Sequence, residues 1–383
     1  MRFCSLAAVA VFAGILGAAP SQAAECGGAF PAPPPPPAGR YGVGTVILPV
    51  ETAGSSMRQV QLWYPARKAE AGRGGVRMPY VPTEGSLAVL RSQKFENQPD
   101  CVFDEWAHFT TSARPGAPIV RNGPRFPLVL FAPGLGLPRF LYTVYAEQLA
   151  SDGYIVAAFD FQHGGFLVRN GTLASDAPAN DDAGSAAVVT DWAKHFSSFI
   201  DAAKSLRLAR ADLTRIAAVG HSIGGAAALE ACRDDQRIRA CVDLDGLPFG
   251  PVANDGIRTR ALWLRSQPDY SDADLAKLHR SRAAWDAVRE KAKADVRKLL
   301  PERGGAAWVV SVHQTAHMSF SDAPFTMPAE VTHFGGTFLD PARFFAVTTQ
   351  LIEEYFQWSV GASKAFPPAP LAPEVSVQLA RPE

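Results

Sequence analysis

The spacing of apolar and polar residues changes period several times along the chain. Apolar and polar residues alternate over residues 41–50 and 60–64, which predicts antiparallel strands at the edge of a sheet. From residue 126 onwards, short apolar runs predict buried strands at residues 126–132, 154–159, 215–219, 238–244, 260–264 and 308–312. Helical spacing between these runs predicts helices at about residues 141–151, 191–209, 223–232 and 272–300.

Strands that alternate with helices favour an α/β fold with a mostly parallel central sheet flanked by helices on both faces. Residues 84–124 lack clean periodicity, so we expect a small cap or surface insertion there rather than a separate domain. Five consecutive prolines at positions 33–37 form a stiff spacer. The domain is therefore expected at residues 41–365, after a spacer at 25–40 and before a Pro-rich C-terminal tail at 366–383.

The first 24 residues have the pattern of a signal peptide. Arg2 supplies a positive start, an apolar run follows over residues 6–19, and small residues suited to cleavage surround Gln22. The apolar run is shorter than the roughly 20 residues that a membrane-spanning helix requires, and Pro20 follows it directly. We therefore expect an exported protein, periplasmic or secreted, without stable membrane insertion.

Composition narrows the class of ligand. Among 383 residues, 47% are hydrophobic, and 37 basic residues balance 37 acidic ones. The hydrophobic content is enough for a sizeable buried core. Because the charges balance and no stripe of basic residues is present, the protein is not expected to bind nucleic acid. A small, roughly neutral molecule is the expected ligand, and the pattern carries no signal for oligomeric state.

Four cysteines remain once the signal peptide is removed: Cys26, Cys101, Cys232 and Cys241. An even number in an oxidising compartment permits two disulfides, and three pairings satisfy the count. The pair Cys232–Cys241 is the first expectation, because only a predicted helix end and strand separate the two residues. Buried thiols that pack without bonding are the alternative.

The segment from Gly220 to Gly225, Gly-His-Ser-Ile-Gly-Gly, carries the most specific chemical signal. It follows a predicted strand and opens a predicted helix, which is the context of a nucleophile elbow. Such a turn exposes the hydroxyl of Ser222 at a helix N-terminus, where developing negative charge is favoured. The alternative is a glycine turn with only a structural role.

Residues 126–136, residues 149–158 and the serine turn together resemble the platelet-activating factor acetylhydrolase and dienelactone hydrolase-like branch of the α/β-hydrolases. Matching signals recur at Asp245, between Leu244 and Gly246, and around His317. Pro133 departs from the branch, which often has histidine at this position. The resemblance implies the α/β-hydrolase fold and hydrolysis of carboxylic esters by a serine nucleophile, with no cofactor.

A serine nucleophile needs a histidine base and a carboxylate that orients it. His317 lies in the loop after a predicted strand, and its spacing to Phe320 and Asp322 matches the family's pattern; His313, at the strand end, is the alternative. The resemblance places the carboxylate at Asp245, and Asp269 is its competitor.

Two backbone N–H groups are needed to stabilise the oxyanion. The N–H of Ile223, directly after the nucleophile, is one by position, and the resemblance supplies Leu135 as the other. Asp243 is expected to be a structural strand residue, and no cluster of side chains indicates a metal site.

The expected function is therefore a serine carboxylesterase that forms an acyl-enzyme. The resemblance suggests short-chain or oxidised acyl phospholipids as substrates. Polyester or cutinase-like hydrolysis and general carboxylesterase activity are alternatives within the same chemistry. An acyltransferase and a non-catalytic exported binding protein are alternatives from other classes.

Overall fold

The computed structural model of the protein describes residues 30–48, 58–68, 75–83, 86–95, 98–203, 208, 210–298, 307–328, 338–361, 366–367 and 371–381. The predicted signal peptide at residues 1–24 and Cys26 lie outside these ranges. Among the described residues, no helix combines the length and the apolar composition needed to cross a membrane.

One sheet contains ten of the described strands, and a separate hairpin contains two more. The strands of the sheet are β1 (Gly42–Leu48), β2 (Arg58–Ala66), β3 (Arg114–Pro115), β4 (Phe126–Ala132), β5 (Ile155–Phe161), β8 (Ala211–His221), β9 (Ile238–Leu244), β10 (Arg260–Gln267), β11 (Ala307–His313) and β12 (Val375–Arg381), and those of the hairpin are β6 (Val168–Arg169) and β7 (Thr172–Leu173). The order in the sheet is β12-β11-β10-β9-β8-β4-β5-β2-β1-β3. The six strands from β11 to β5 in this order pair in parallel, whereas β2 is antiparallel to both of its neighbours.

Helices cover both faces of this sheet. Side chains of β4 alternate between two hydrophobic clusters: Val129 and Phe131 join one, and Leu128 and Leu130 join the other. The first cluster is completed by α1 (Ser86–Ser92), α2 (Asp100–His108), α3 (Thr143–Asp152) and α10 (Pro341–Ser359). The second is completed by α4 (Asp182–Ala202), α5 (Ile223–Asp234), α6 (Val252–Asp255) and α8 (Arg282–Lys298). Two shorter helices are α7 (Asp272–Lys277) and α9 (Ala323–Thr326).

The predicted strands are confirmed, and so is the α/β class with a mostly parallel sheet. The aperiodic stretch at residues 84–124 contains α1, α2 and β3, and its helices pack on the first cluster through Leu90, Phe103 and Trp106. Helix α4 begins earlier than predicted, because the carboxylate of Asp181 accepts the N–H of Gly184 and caps the helix there.

Two predictions need correction. The predicted helix at residues 272–300 is two helices, α7 and α8, separated by a turn in which His279 has a φ of 53°. The predicted tail at residues 366–383 includes β12, which pairs antiparallel with β11 and extends the sheet. The prolines before Val375 concealed an alternating strand pattern, and this part of the tail belongs to the domain.

Cys232 and Cys241 form a disulfide that joins the end of α5 to β9. This is the pair expected from the sequence. Cys101 is also disulfide-bonded.

Candidate active site

Ser222 lies alone between the end of β8 at His221 and the start of α5 at Ile223. Its φ of 58° and ψ of −124° are values that L-residues seldom adopt. Ser222 is half-buried, so the residue keeps some contact with solvent. The N–H of Ser222 donates to the carbonyl of Leu244 at 2.9 Å, which ties the turn to the end of β9.

The glycines around Ser222 are required by close backbone approach. A Cβ atom on Gly220 would lie 2.0 Å from the carbonyl oxygen of Gly224. A Cβ atom on Gly224 would lie 2.2 Å from the carbonyl oxygen of Pro133, which follows β4. The first turn of α5 therefore packs directly against the end of β8 and against the loop after β4, and a side chain on either glycine would push these segments apart.

His317 and Asp245 come together beside this turn. Asp245 directly follows β9, and His317 opens the 3₁₀ helix His317–Phe320 after β11. The Nδ1 atom of His317 is 2.9 Å from Oδ2 of Asp245. Because an ionised carboxylate only accepts hydrogen bonds, the neutral imidazole carries its proton on Nδ1 and leaves Nε2 as the basic atom.

The surroundings of Asp245 keep its carboxylate ionised. Burial raises its pKa, but the Arg265 guanidinium and the hydrogen bonds from His317 and Ser266 lower it by more, so the pKa lies well below its ordinary value. Ser266 donates its backbone N–H to Oδ1 at 2.9 Å and its hydroxyl to Oδ2 at 2.7 Å. Arg265 Nε lies 3.7 Å from Oδ1.

The competing residues are placed elsewhere. Nε2 of His313 is 2.8 Å from the hydroxyl of Ser376 on the neighbouring strand β12, so this ring faces the edge of the sheet. Asp269 is exposed. Asp243 is buried below the serine turn, where it accepts the N–H of Gly246 at 2.5 Å, and burial raises its pKa to about 7.

The turn after β4 carries the first predicted oxyanion donor, Leu135. Its flanking glycines are both anchored: the N–H of Gly134 donates to the Tyr142 hydroxyl at 3.0 Å, and that of Gly136 to the Gly164 carbonyl at 2.8 Å. Ile223 carries the second predicted donor. As the first residue of α5, it has one of the N–H groups that find no acceptor within a helix.

Sequence reasoning missed the role of two buried aromatic residues. The ring of His221 faces the hydroxyl of Tyr142 and the main chain of His317. Tyr142 carries no local sequence signal, because its partner His221 is 79 positions away in the sequence. The residues that the structure describes include no group of three or more histidine, cysteine, aspartate or glutamate side chains placed to hold a metal ion.

The fold and the turn at Ser222 define the class. The model of the alpha/beta hydrolase family matches residues 129–373, which is more than half of the chain, and the chain belongs to this family. A second family model, that of platelet-activating factor acetylhydrolase, isoform II, matches residues 32–165. This match supports the branch that the sequence resembles.

Individual relatives agree with this branch. The chain is 26% identical over 253 residues to platelet-activating factor acetylhydrolase from Canis lupus familiaris, covering 57% of this chain and 52% of the relative. It is 25% identical over 207 residues to the probable 1-alkyl-2-acetylglycerophosphocholine esterase from Arthroderma benhamiae, covering 53% of this chain and 50% of the relative. The chain thus spans about half the length of these curated relatives.

A solved structure resembles nearly the whole chain. The ferulic acid esterase from Streptomyces cinnamoneus superposes with a TM-score of 0.69 and 27% sequence identity. The superposition covers 92% of this chain and all of that protein.

Proposed function

We propose that the protein is a serine esterase that hydrolyses carboxylic esters through an acyl-enzyme, with Ser222, His317 and Asp245 as its catalytic triad. The observation that carries the proposal is the 2.9 Å contact between His317 Nδ1 and the Asp245 carboxylate, next to a serine held at positive φ in a glycine-rich turn. A purely structural turn has no need of an oriented imidazole and a strained serine together.

Catalysis follows from these placements. His317 Nε2 removes the hydroxyl proton while Ser222 Oγ bonds to the ester carbonyl carbon, and the carbonyl oxygen becomes an oxyanion between the N–H groups of Leu135 and Ile223. The imidazolium then gives its proton to the leaving alkoxide as the C–O bond breaks. In the second half, His317 takes a proton from water, hydroxide adds to the acyl carbon, and the carboxylic acid leaves as Ser222 regains its proton.

Asp245 supports both halves by stabilising the imidazolium. Its pKa well below the ordinary range keeps it charged throughout the neutral range. The bonds from Ser266 fix the plane of the carboxylate and so the direction in which His317 points.

Short or oxidised acyl esters of phospholipid-like alcohols are the proposed substrates, because the relatives include platelet-activating factor acetylhydrolases. A second candidate is an ester of an aromatic acid, since the ferulic acid esterase matches over its whole length. Simple carboxylesters and polyesters remain in the same chemical class.

A substrate panel tests the proposal. We expect turnover of p-nitrophenyl acetate and loss of turnover in Ser222→Ala, with kcat/KM falling as the acyl chain lengthens. Preference for methyl ferulate over acetyl esters would favour the second candidate. Transfer to an added alcohol in place of free acid would identify an acyltransferase, and absence of turnover on every ester would contradict the esterase proposal.

We also propose that residues 1–24 direct export and are removed. The disulfide between Cys232 and Cys241 supports this, because such bonds persist in oxidising compartments. Mass spectrometry of the protein recovered outside the cytoplasm would show a new N-terminus near residue 24 or 25. An intact N-terminus retained in the cytoplasm would contradict export.

A further inference from the structure

A chain of hydrogen bonds links the oxyanion turn to the loop of the base. The N–H of Gly134 donates to the hydroxyl of Tyr142 at 3.0 Å. That hydroxyl lies 2.8 Å from Nδ1 of His221, and Nε2 of His221 lies 3.0 Å from the backbone carbonyl oxygen of His317. We call this chain the Tyr142–His221 bridge.

The direction of every bond in the bridge is fixed. An amide N–H only donates, so the Tyr142 oxygen accepts from Gly134 and has one proton left to give to His221 Nδ1. A carbonyl only accepts, so Nε2 of His221 carries the imidazole proton and donates it to His317. All donors and acceptors along the bridge are thereby satisfied with a neutral imidazole.

Burial enforces this neutral state. His221 is 0% exposed and Tyr142 is 1% exposed. Burial lowers the pKa of His221 well below its ordinary value, and the neighbouring His317 lowers it further. The centroids of the His221 and His317 rings lie 4.4 Å apart. Because His221 is neutral, it does not repel the positive charge that His317 carries as an imidazolium.

Tyr142, in the middle of the bridge, is itself anchored to the sheet. Tyr142 ends the 3₁₀ helix Arg139–Tyr142, whose first residue donates its backbone N–H to Asp160 at 2.6 Å. The Arg139 guanidinium also pairs with the Asp160 carboxylate, and both side chains are buried. The 3₁₀ helix is thus anchored to the end of β5, and the bridge connects this helix to the loop that carries His317.

We infer that Tyr142 and His221 are positioning residues that hold the oxyanion turn and the base loop at a fixed separation. The inference rests on the proposed esterase function and extends it to residues outside the triad. A ground-state ester contacts the turn weakly, whereas the oxyanion needs both N–H donors in place. Loss of the bridge should therefore lower kcat and leave KM nearly unchanged.

Tyr142→Phe removes the central hydroxyl and leaves a buried N–H and a buried imidazole nitrogen without partners. We expect kcat to fall by about 10- to 100-fold, the range typical of a small misplacement of catalytic groups. The matched control is Tyr145→Phe on the adjoining helix α3. Tyr145 is equally buried, and its hydroxyl bonds to Thr348 at 3.0 Å, away from the bridge.

His221 tests the other half of the bridge. His221→Gln retains an N–H near the position of Nε2 but loses the acceptor Nδ1, so we expect a fall in kcat that is smaller than that of His221→Leu, which should lose about as much as Tyr142→Phe. Because the two residues act as one chain, Tyr142→Phe combined with His221→Leu should cost little more than either change alone.

Circular dichroism and thermal unfolding report folding for each variant, and p-nitrophenyl acetate kinetics report activity. The inference is overturned if folded Tyr142→Phe has the kcat of Tyr145→Phe, if KM rises in place of the fall in kcat, or if the double variant shows the product of the single losses. These outcomes leave the esterase proposal intact as long as Ser222→Ala abolishes turnover. Turnover that survives in Ser222→Ala contradicts the esterase proposal itself.

Discussion

Replacing Asp245 by asparagine changes one atom and tests how the imidazole is oriented. The backbone N–H of Ser266 requires an acceptor, so the amide oxygen of the new side chain takes the place of Oδ1. The amide NH₂ then occupies the position of Oδ2, 2.9 Å from His317 Nδ1. An N–H donor at this position forces Nδ1 to accept, and the imidazole proton moves to Nε2.

An imidazole with its proton on Nε2 cannot remove the proton of Ser222. The expected loss is about 10⁴-fold in kcat, which corresponds to about 5 kcal/mol of transition-state stabilisation. KM should change little, because ester binding does not depend on the position of this proton.

Initial rates of p-nitrophenyl acetate hydrolysis measure the loss, and thermal unfolding checks that the variant is folded. The matched control is Asp269→Asn, which alters an exposed carboxylate after the next strand and should stay within about threefold of wild type. A greater loss in Asp269→Asn than in Asp245→Asn, or near-normal turnover in Asp245→Asn, would refute the assignment of the carboxylate.

Three further predictions concern stability. Gly224→Ala places a Cβ atom 2.2 Å from a backbone carbonyl oxygen and should lower Tm sharply or prevent folding, whereas Gly116→Ala, with open space around it, should cost about 1 kcal/mol. Burial raises the pKa of Asp243 to about 7, so the folded protein keeps a proton that the unfolded chain releases near pH 4. The free energy of unfolding should therefore fall by up to about 4 kcal/mol as pH rises from 4 to 7. Urea titrations should show a weaker fall over this pH range in Asp243→Asn than in the wild type, and an equal fall in both proteins would contradict this. Replacing both Cys232 and Cys241 by alanine should cost about 2 to 3 kcal/mol, and a reductant should then lower Tm by less than it does in the wild type; unchanged Tm in the variant would contradict this.

The candidate site residues that the sequence could indicate are those with a local signal, next to a glycine turn or at the end of a strand. The glycines around Ser222 lie in the last residues of β8 and the first turn of α5, and each is required by a close contact within the turn, with the loop after β4 or with Asp243. Asp245 directly follows the buried strand β9, and His317 lies in the loop after the buried strand β11. The carboxyl ends of parallel strands meet at one edge of the sheet. Their approach to 2.9 Å agrees with that topology.

The parts that sequence did not predict depend on distant contacts. Tyr142 and His221 are 79 positions apart, and no local pattern shows that a hydroxyl and an imidazole meet in the core. The break between α7 and α8 is hidden by a charged pattern that continues across it, and only the positive φ of His279 marks the turn. The strand β12 follows a proline-rich stretch, and its pairing with β11 outweighs that local composition.

The central claim is that the hydroxyl of Ser222 is the nucleophile. Labelling the intact protein with a fluorophosphonate, followed by peptide mapping, measures this directly. We expect the label on the peptide that contains Ser222, together with loss of esterase turnover, and we expect no label in Ser222→Ala. A label on another residue, or a folded wild-type protein that hydrolyses esters without being labelled, would contradict the claim.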